Sequence, residues 1–184
     1  MLASMSLERS HHVAPVEVSD RAEDEVDRLV QAWQRERPDL DVSPLEVLSR
    51  VSRLARHLDR ARASAFSQHD LEPWEFDVLA ALRRAGAPYE LSPGLLLART
   101  LVTSGTMTNR IDRLEVRGLV TRRPDPDDRR GVVVTLTPDG RTHVDAALSD
   151  LLEQERTILS GLRPSEVQRL ADLLRSVTLL FEEA

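Results

Sequence analysis

Apolar residues fall along most of this chain in seams with a helical repeat, interrupted once by two short β-rich runs. Val26, Leu29, Val30 and Trp33 recur at helical spacing, and so do Leu45, Leu48, Val51, Leu54 and Leu58. Such spacing predicts amphipathic helices. Asp20 with Glu23 reads as a capping box for the first, which Arg37-Pro38 should end. Ser43-Pro44-Leu45-Glu46 starts the second with a cap, a proline at the first helical position and a Glu that reaches back, and the pattern carries it to about Ser67. Glu72-Pro73 opens a third helix with Trp74, Val78, Leu79 and Leu82 on its buried face, stopped by Gly86. A short helix follows Ser92-Pro93 through Leu95, Leu96 and Ala98.

The stretch from Thr103 to Gly140 carries the chemistry. Met107, Ile111 and Leu114 make an apolar seam, and the other side holds Ser104, Thr106, Thr108, Asn109, Arg110 and Arg113. Short hydroxyl, amide and guanidinium groups on one helix face suit base edges and phosphates in a major groove. Gly118 supplies the left-handed residue that ends this helix. Leu119 to Arg123 and Val132 to Leu136 read as a hairpin, joined by the polar Pro124 to Gly131 segment, which is expected to be an exposed wing. Together the last two helices and the hairpin predict a winged helix-turn-helix.

Beyond Thr137-Pro138 a long helix carries Val144, Ala147, Leu148, Leu151, Leu152, Ile158 and Leu159. A last helix near Ser165 carries Val167, Leu170, Leu173, Leu174, Val177, Leu180 and Phe181. Apolar stripes this wide exceed what a small winged domain needs to cover, so a homodimer through terminal helices is expected. The fold class is therefore mainly α with a small β-hairpin wing, a winged helix-turn-helix with N- and C-terminal dimerisation helices. Its parts are a flexible tail over 1–18, an extra helix and linker over 19–42, and a main domain over 43–184. Within that domain the winged helix-turn-helix spans about 72–137, and the dimerisation helices span about 43–67 and 138–184.

Composition narrows the picture. The 184-residue chain has net charge −6, against the usual sign for a DNA binder, yet nine Arg stand against six Asp and Glu from Arg99 to Arg141. An acidic body with a basic reading surface satisfies the local electrostatics. No Cys is present, which excludes disulfides, thiolate metal sites and thiol redox sensing. Asp125, Asp127 and Asp128 lack the Gly and closing Glu of a calcium loop, so no metal is expected. The chain offers no phosphate loop, zinc motif or nucleophile elbow, and His57, His69 and His143 lack partners at a recognised spacing. An enzyme, and any cofactor, is not expected. With no transmembrane-length run and no leader pattern, a soluble cytoplasmic protein is expected, without a membrane partner.

An ordered set of residues resembles the MarR family of bacterial winged helix-turn-helix regulators. Asn109 to Glu115 leads into Arg117-Gly118-Leu119-Val120, then Arg122-Arg123, then Asp125 to Arg130, and closes with Val134 to Gly140. The likeness covers roughly Pro44 to the C-terminus. It implies a homodimer on double-stranded operator DNA, with Arg130 in the minor groove, held by Asp128, and Arg129 at a phosphate. Four further residues, Trp33, Asp77, Arg110 and Arg122, resemble the urate-responsive subgroup typified by HucR and PecS, with Phe76 as a departure where that subgroup carries Trp. The subgroup implies that Trp33 and Arg122 hold a small aromatic anion, urate or a relative, while the anion repels Asp77 and the shift reaches Arg110. The expected function is a repressor that such an effector releases from a pseudo-palindromic operator. Another phenolic or carboxylate ligand satisfies the same groups, and a winged-helix module that binds protein is the remaining alternative.

Overall fold

The computed structural model describes residues 23–100, 104–126 and 131–182. The chain forms two compact units, one through Leu54 and one from Ala55.

The first unit holds α1 (Glu25–Glu36) and the opening part of α2 (Ser43–Ser67). Asp24 caps α1: its Oδ1 accepts from the Val26 amide at 2.7 Å and the Asp27 amide at 3.0 Å, and Asp27 Oδ2 accepts from the Asp24 amide at 2.9 Å. The box thus sits at Asp24 and Asp27 rather than Asp20 and Glu23, and Asp20 lies outside the described residues. Arg50 then joins α2 to the cap, with Nε 2.8 Å from Asp24 Oδ2 and Nη2 2.6 Å from Asp27 Oδ1. Val26, Val30 and Val42 form a small core flanked by Leu29 and Leu45.

The second unit carries the rest of α2, then α3 (Pro73–Arg84), β1 (Glu90–Leu91), α4 (Pro93–Thr100), α5 (Ser104–Val116), β2 (Val120–Pro124), β3 (Val132–Leu136), α6 (Pro138–Leu159) and α7 (Pro164–Leu179). Its core gathers Phe66, Leu79, Leu82, Leu96, Met107, Ile111, Leu114 and Val144, all nearly inaccessible. The seam read on α5 is therefore the face that docks, and its polar side is left outward.

The hairpin pairs in antiparallel register, Val120 opposite Leu136 and Arg122 opposite Val134, and the Asp125 amide donating to the Gly131 carbonyl at 2.9 Å closes its base. A third strand was not expected. β1 adds to the far edge of β3, giving the order β1-β3-β2. Gly118, at φ +71°, turns the chain from α5 into β2. Thr137 caps α6 by accepting from the Gly140 amide at 3.0 Å, while its own hydroxyl donates to the Gly118 carbonyl at 2.8 Å. A Cβ on Gly140 would lie 2.1 Å from the Leu119 carbonyl oxygen, so only glycine lets α6 start this close to the end of α5.

Candidate functional site

On α5 the residues Thr106, Thr108 and Asn109 are exposed, Arg110 is half-buried and Arg113 is exposed, with Ser104 as the first residue of the helix. The expected reading face is therefore presented. Its two arginines are not loose. The Arg113 Cζ lies 4.7 Å from the Trp74 ring centroid and that of Arg110 5.4 Å, both within cation–π range. Arg113 Nη2 also donates to Glu72 Oε1 at 2.8 Å, and Trp74 Nε1 donates to Glu72 Oε2 at 2.6 Å. The hydrogen bond from Trp74, then that from Arg113, holds the Glu72 carboxyl below its usual range. The wing-tip residues Asp128, Arg129 and Arg130 lie outside the described residues.

An ion pair with one buried partner ties the end of α5 to α3. Glu75 on α3 is buried, and its Oε2 accepts from Arg117 Nη1 at 2.6 Å, while Arg117 Nη2 donates to the Asp70 carbonyl at 2.6 Å. Arg117 was read only as part of a motif. Its partner lies 42 positions away, beyond any local spacing signal.

The four residues expected at an effector site are distributed as follows. Arg122 on β2 points back to α5, ion-paired with Asp112 and with its Nε 3.1 Å from Glu115 Oε2, though not aligned there as a hydrogen bond. Glu115 Oε1 also accepts from the Arg122 amide at 3.1 Å. Arg122 thereby fixes the wing strand to the reading helix. Arg110 rests on Trp74 as described. Asp77, three positions after Trp74 on α3, lies 3.4 Å from Arg62 Nη2 and lines a cleft of about 320 Å³ between α3 and α6. Arg110 and Arg122 are not among its lining residues. Trp33 belongs to the first unit, on α1, and is exposed.

That cleft was missed from sequence. Arg62, Arg83 and Arg84 line it together with Asp77, over an apolar floor that includes Phe76 and Leu148. Arg83 is held by Asp145, Nε to Oδ1 at 2.8 Å, and its guanidinium lies 5.1 Å from the Tyr89 ring centroid. Asp145 and Glu155 line it too, so three carboxylates stand beside the three guanidinium groups; a small flat anion can meet the guanidinium edges over the apolar floor, in a volume at the small end of ligand pockets. His69 has a partner that local spacing does not show, Asp150 on α6 at 2.8 Å. Among the described residues there is no cluster of groups fit to hold a metal, and no helix long and apolar enough to cross a membrane.

Residues 69–131, from the end of α2 through the reading helix into the wing, match the model of the MarR family. The regulator PecS of Dickeya dadantii is 42% identical over 153 residues, spanning 83% of this chain and 92% of PecS. A mutant MarR from E. coli complexed with operator DNA superposes with a TM-score of 0.63 at 28% identity, over 75% of this chain and 99% of that one. BpsR of Bordetella bronchiseptica, whose DNA binding is regulated by 6-hydroxynicotinic acid, superposes with a TM-score of 0.55 at 32% identity, over 70% of this chain and 98% of BpsR.

Proposed function

We propose, for a chain that belongs to the MarR family of DNA-binding transcriptional regulators, that it acts as a homodimeric repressor released from its operator by urate or a similar small aromatic anion. Members of this family are regulators and not enzymes.

The observation that carries the ligand half is Asp77 lining a cleft with Arg62, Arg83 and Arg84. A planar anion gains charge-assisted hydrogen bonds from such guanidinium groups, while its charge is set against the Asp77 carboxylate. Asp77 and Trp74 lie three positions apart on one short helix, and Trp74 touches both arginines of the reading helix. Displacing Asp77 therefore has a short route to Arg110. Release then requires only that the anion bind the DNA-incompetent arrangement more tightly. In this scheme the family resemblance assigns Trp33 to the anion as well. Arg122 acts through the strut it makes to Asp112 and Glu115 as well as through any contact with the anion.

The DNA half rests on the outward face of α5 and the hairpin beside it. Asn109 and Arg113 read bases, Ser104, Thr106, Thr108 and Arg129 contact the backbone, and Arg130, steadied by Asp128, enters the minor groove. Two-fold symmetry puts the half-sites of a pseudo-palindrome about 10 base pairs apart. A second ligand reading, an aromatic carboxylate, is favoured by the likeness to BpsR.

Isothermal titration of the dimer with urate and with 6-hydroxynicotinate tests the ligand half. Binding that Asp77→Asn strengthens and that Trp33→Ala or Arg62→Ala weakens is the expected result. Heat-silent titrations with both anions would contradict it.

A further inference from the structure

The guanidinium of Arg113 is held in two ways at once. Its Cζ lies over the Trp74 ring, 4.7 Å from the centroid, and its Nη2 donates to Glu72, whose other oxygen is taken by Trp74 Nε1 at 2.6 Å. The three side chains close on one another, each touching the other two. Held this way, Arg113 still leaves 53% of its side chain exposed. A long side chain with this much surface ordinarily samples many rotamers, and ordering it on a partner costs free energy.

We infer that Glu72 and Trp74 are positioning residues for DNA recognition: they hold Arg113 by its face and one edge and leave the remaining N–H groups aimed outward for a base. The inference rests on Arg113 being a base contact. A guanidinium reads guanine through two parallel N–H bonds, which demands a fixed plane, and a ring beneath with a carboxylate at one edge fixes that plane. Neither residue needs to touch DNA. Arg110 shares the same ring at 5.4 Å, so the two arginines of the reading face are spaced by one platform. Trp74 sits in the first turn of α3, one position from buried Glu75, which Arg117 holds, and this anchors the platform to the core.

The charge of Glu72 makes the test sharp. Removing an anion near a DNA-reading face should by electrostatics alone strengthen binding to every duplex. Positioning predicts the reverse for the operator. Anisotropy titrations would use the full chain, an operator duplex mapped by footprinting upstream of its gene, a panel of single base-pair variants and a scrambled duplex of equal length. Glu72→Gln and Trp74→Ala should each weaken operator binding about fivefold. They should flatten preference at the same base pair that Arg113→Ala flattens, and should leave scrambled DNA bound no more weakly. Trp74→Phe, which keeps a ring, should restore most of the preference. In an Arg113→Ala background Glu72→Gln should have no further effect.

Tighter operator binding by Glu72→Gln, or an effect that persists without Arg113, would overturn the inference. If Arg113→Ala itself leaves operator affinity and preference unchanged, the base-contact reading fails first, and the positioning role fails with it. Matching thermal midpoints for the variants keep a folding defect from being mistaken for either result.

Discussion

Gly140 shows how one residue carries a constraint between elements. A methyl group there would lie 2.1 Å from a backbone carbonyl and 2.9 Å from Leu136 Cδ1, and neither has room to yield. Gly140→Ala should cost about 3 kcal/mol, read as a lower denaturant midpoint at unchanged slope. Asp24 carries a different kind of constraint. The hydrogen bond from Arg50, followed by that from the Asp27 amide, lowers its pKa from 3.8 to about 2. Because the folded value is depressed, the stabilisation of α1 is complete above about pH 5 and is lost as pH falls toward 2. Arg50→Ala should bring the Asp24 midpoint back toward 3.8, a shift that carboxyl NMR reads directly. An unmoved midpoint would show that the backbone cap alone holds it.

At the scale of elements, α5 is fixed by its apolar seam beneath, by Arg117 at its end and by Arg122 on its wing side. Arg117→Ala leaves the buried Glu75 carboxylate without its cation, and because Arg117 is itself about one-third exposed, the cost should fall near 2–3 kcal/mol in chemical denaturation. Glu75→Gln with Arg117→Ala should recover part of it. Most helices were legible because their caps and seams agree: Ser43-Pro44, Glu72-Pro73, Ser92-Pro93 and Thr137-Pro138 each begin where the structure begins a helix, within a residue. The β1 strand was not, since two residues, Glu90 and Leu91, have no period to detect. The cap of α1 was misplaced because Asp20, Glu23, Asp24 and Asp27 offer overlapping boxes, and the choice falls to Arg50 from α2. The outward polar side of α5, proposed to read DNA, was legible as a pattern of residue types along that helix. The cleft at Asp77 and the seating of Arg113 on Glu72 and Trp74 were not, because each joins elements far apart in sequence.

For the molecule as a whole, the uncovered face of α7 bears on assembly. None of its residues is buried, and Leu173, Leu180 and Phe181 are exposed at 58%, 71% and 78%. In the first unit Val47, Leu48 and Val51 on α2 are exposed as well. In the proposed homodimer, surfaces of this kind form the interface, which a two-fold operator would require. Leu173→Asp should convert dimer to monomer in sedimentation at micromolar concentration and lower operator affinity at least tenfold, with little change in helical content. A variant that stays dimeric would place the interface elsewhere.

In the proposed function one molecule couples an anion to release from DNA. A gel-shift titration of the full chain on the DNA upstream of its own gene, with and without urate, tests it most directly. The expected result is a complex that weakens steeply with salt and is released by urate in wild type, but not in Trp33→Ala. A complex that urate and 6-hydroxynicotinate both leave intact at saturating concentration would contradict the coupling.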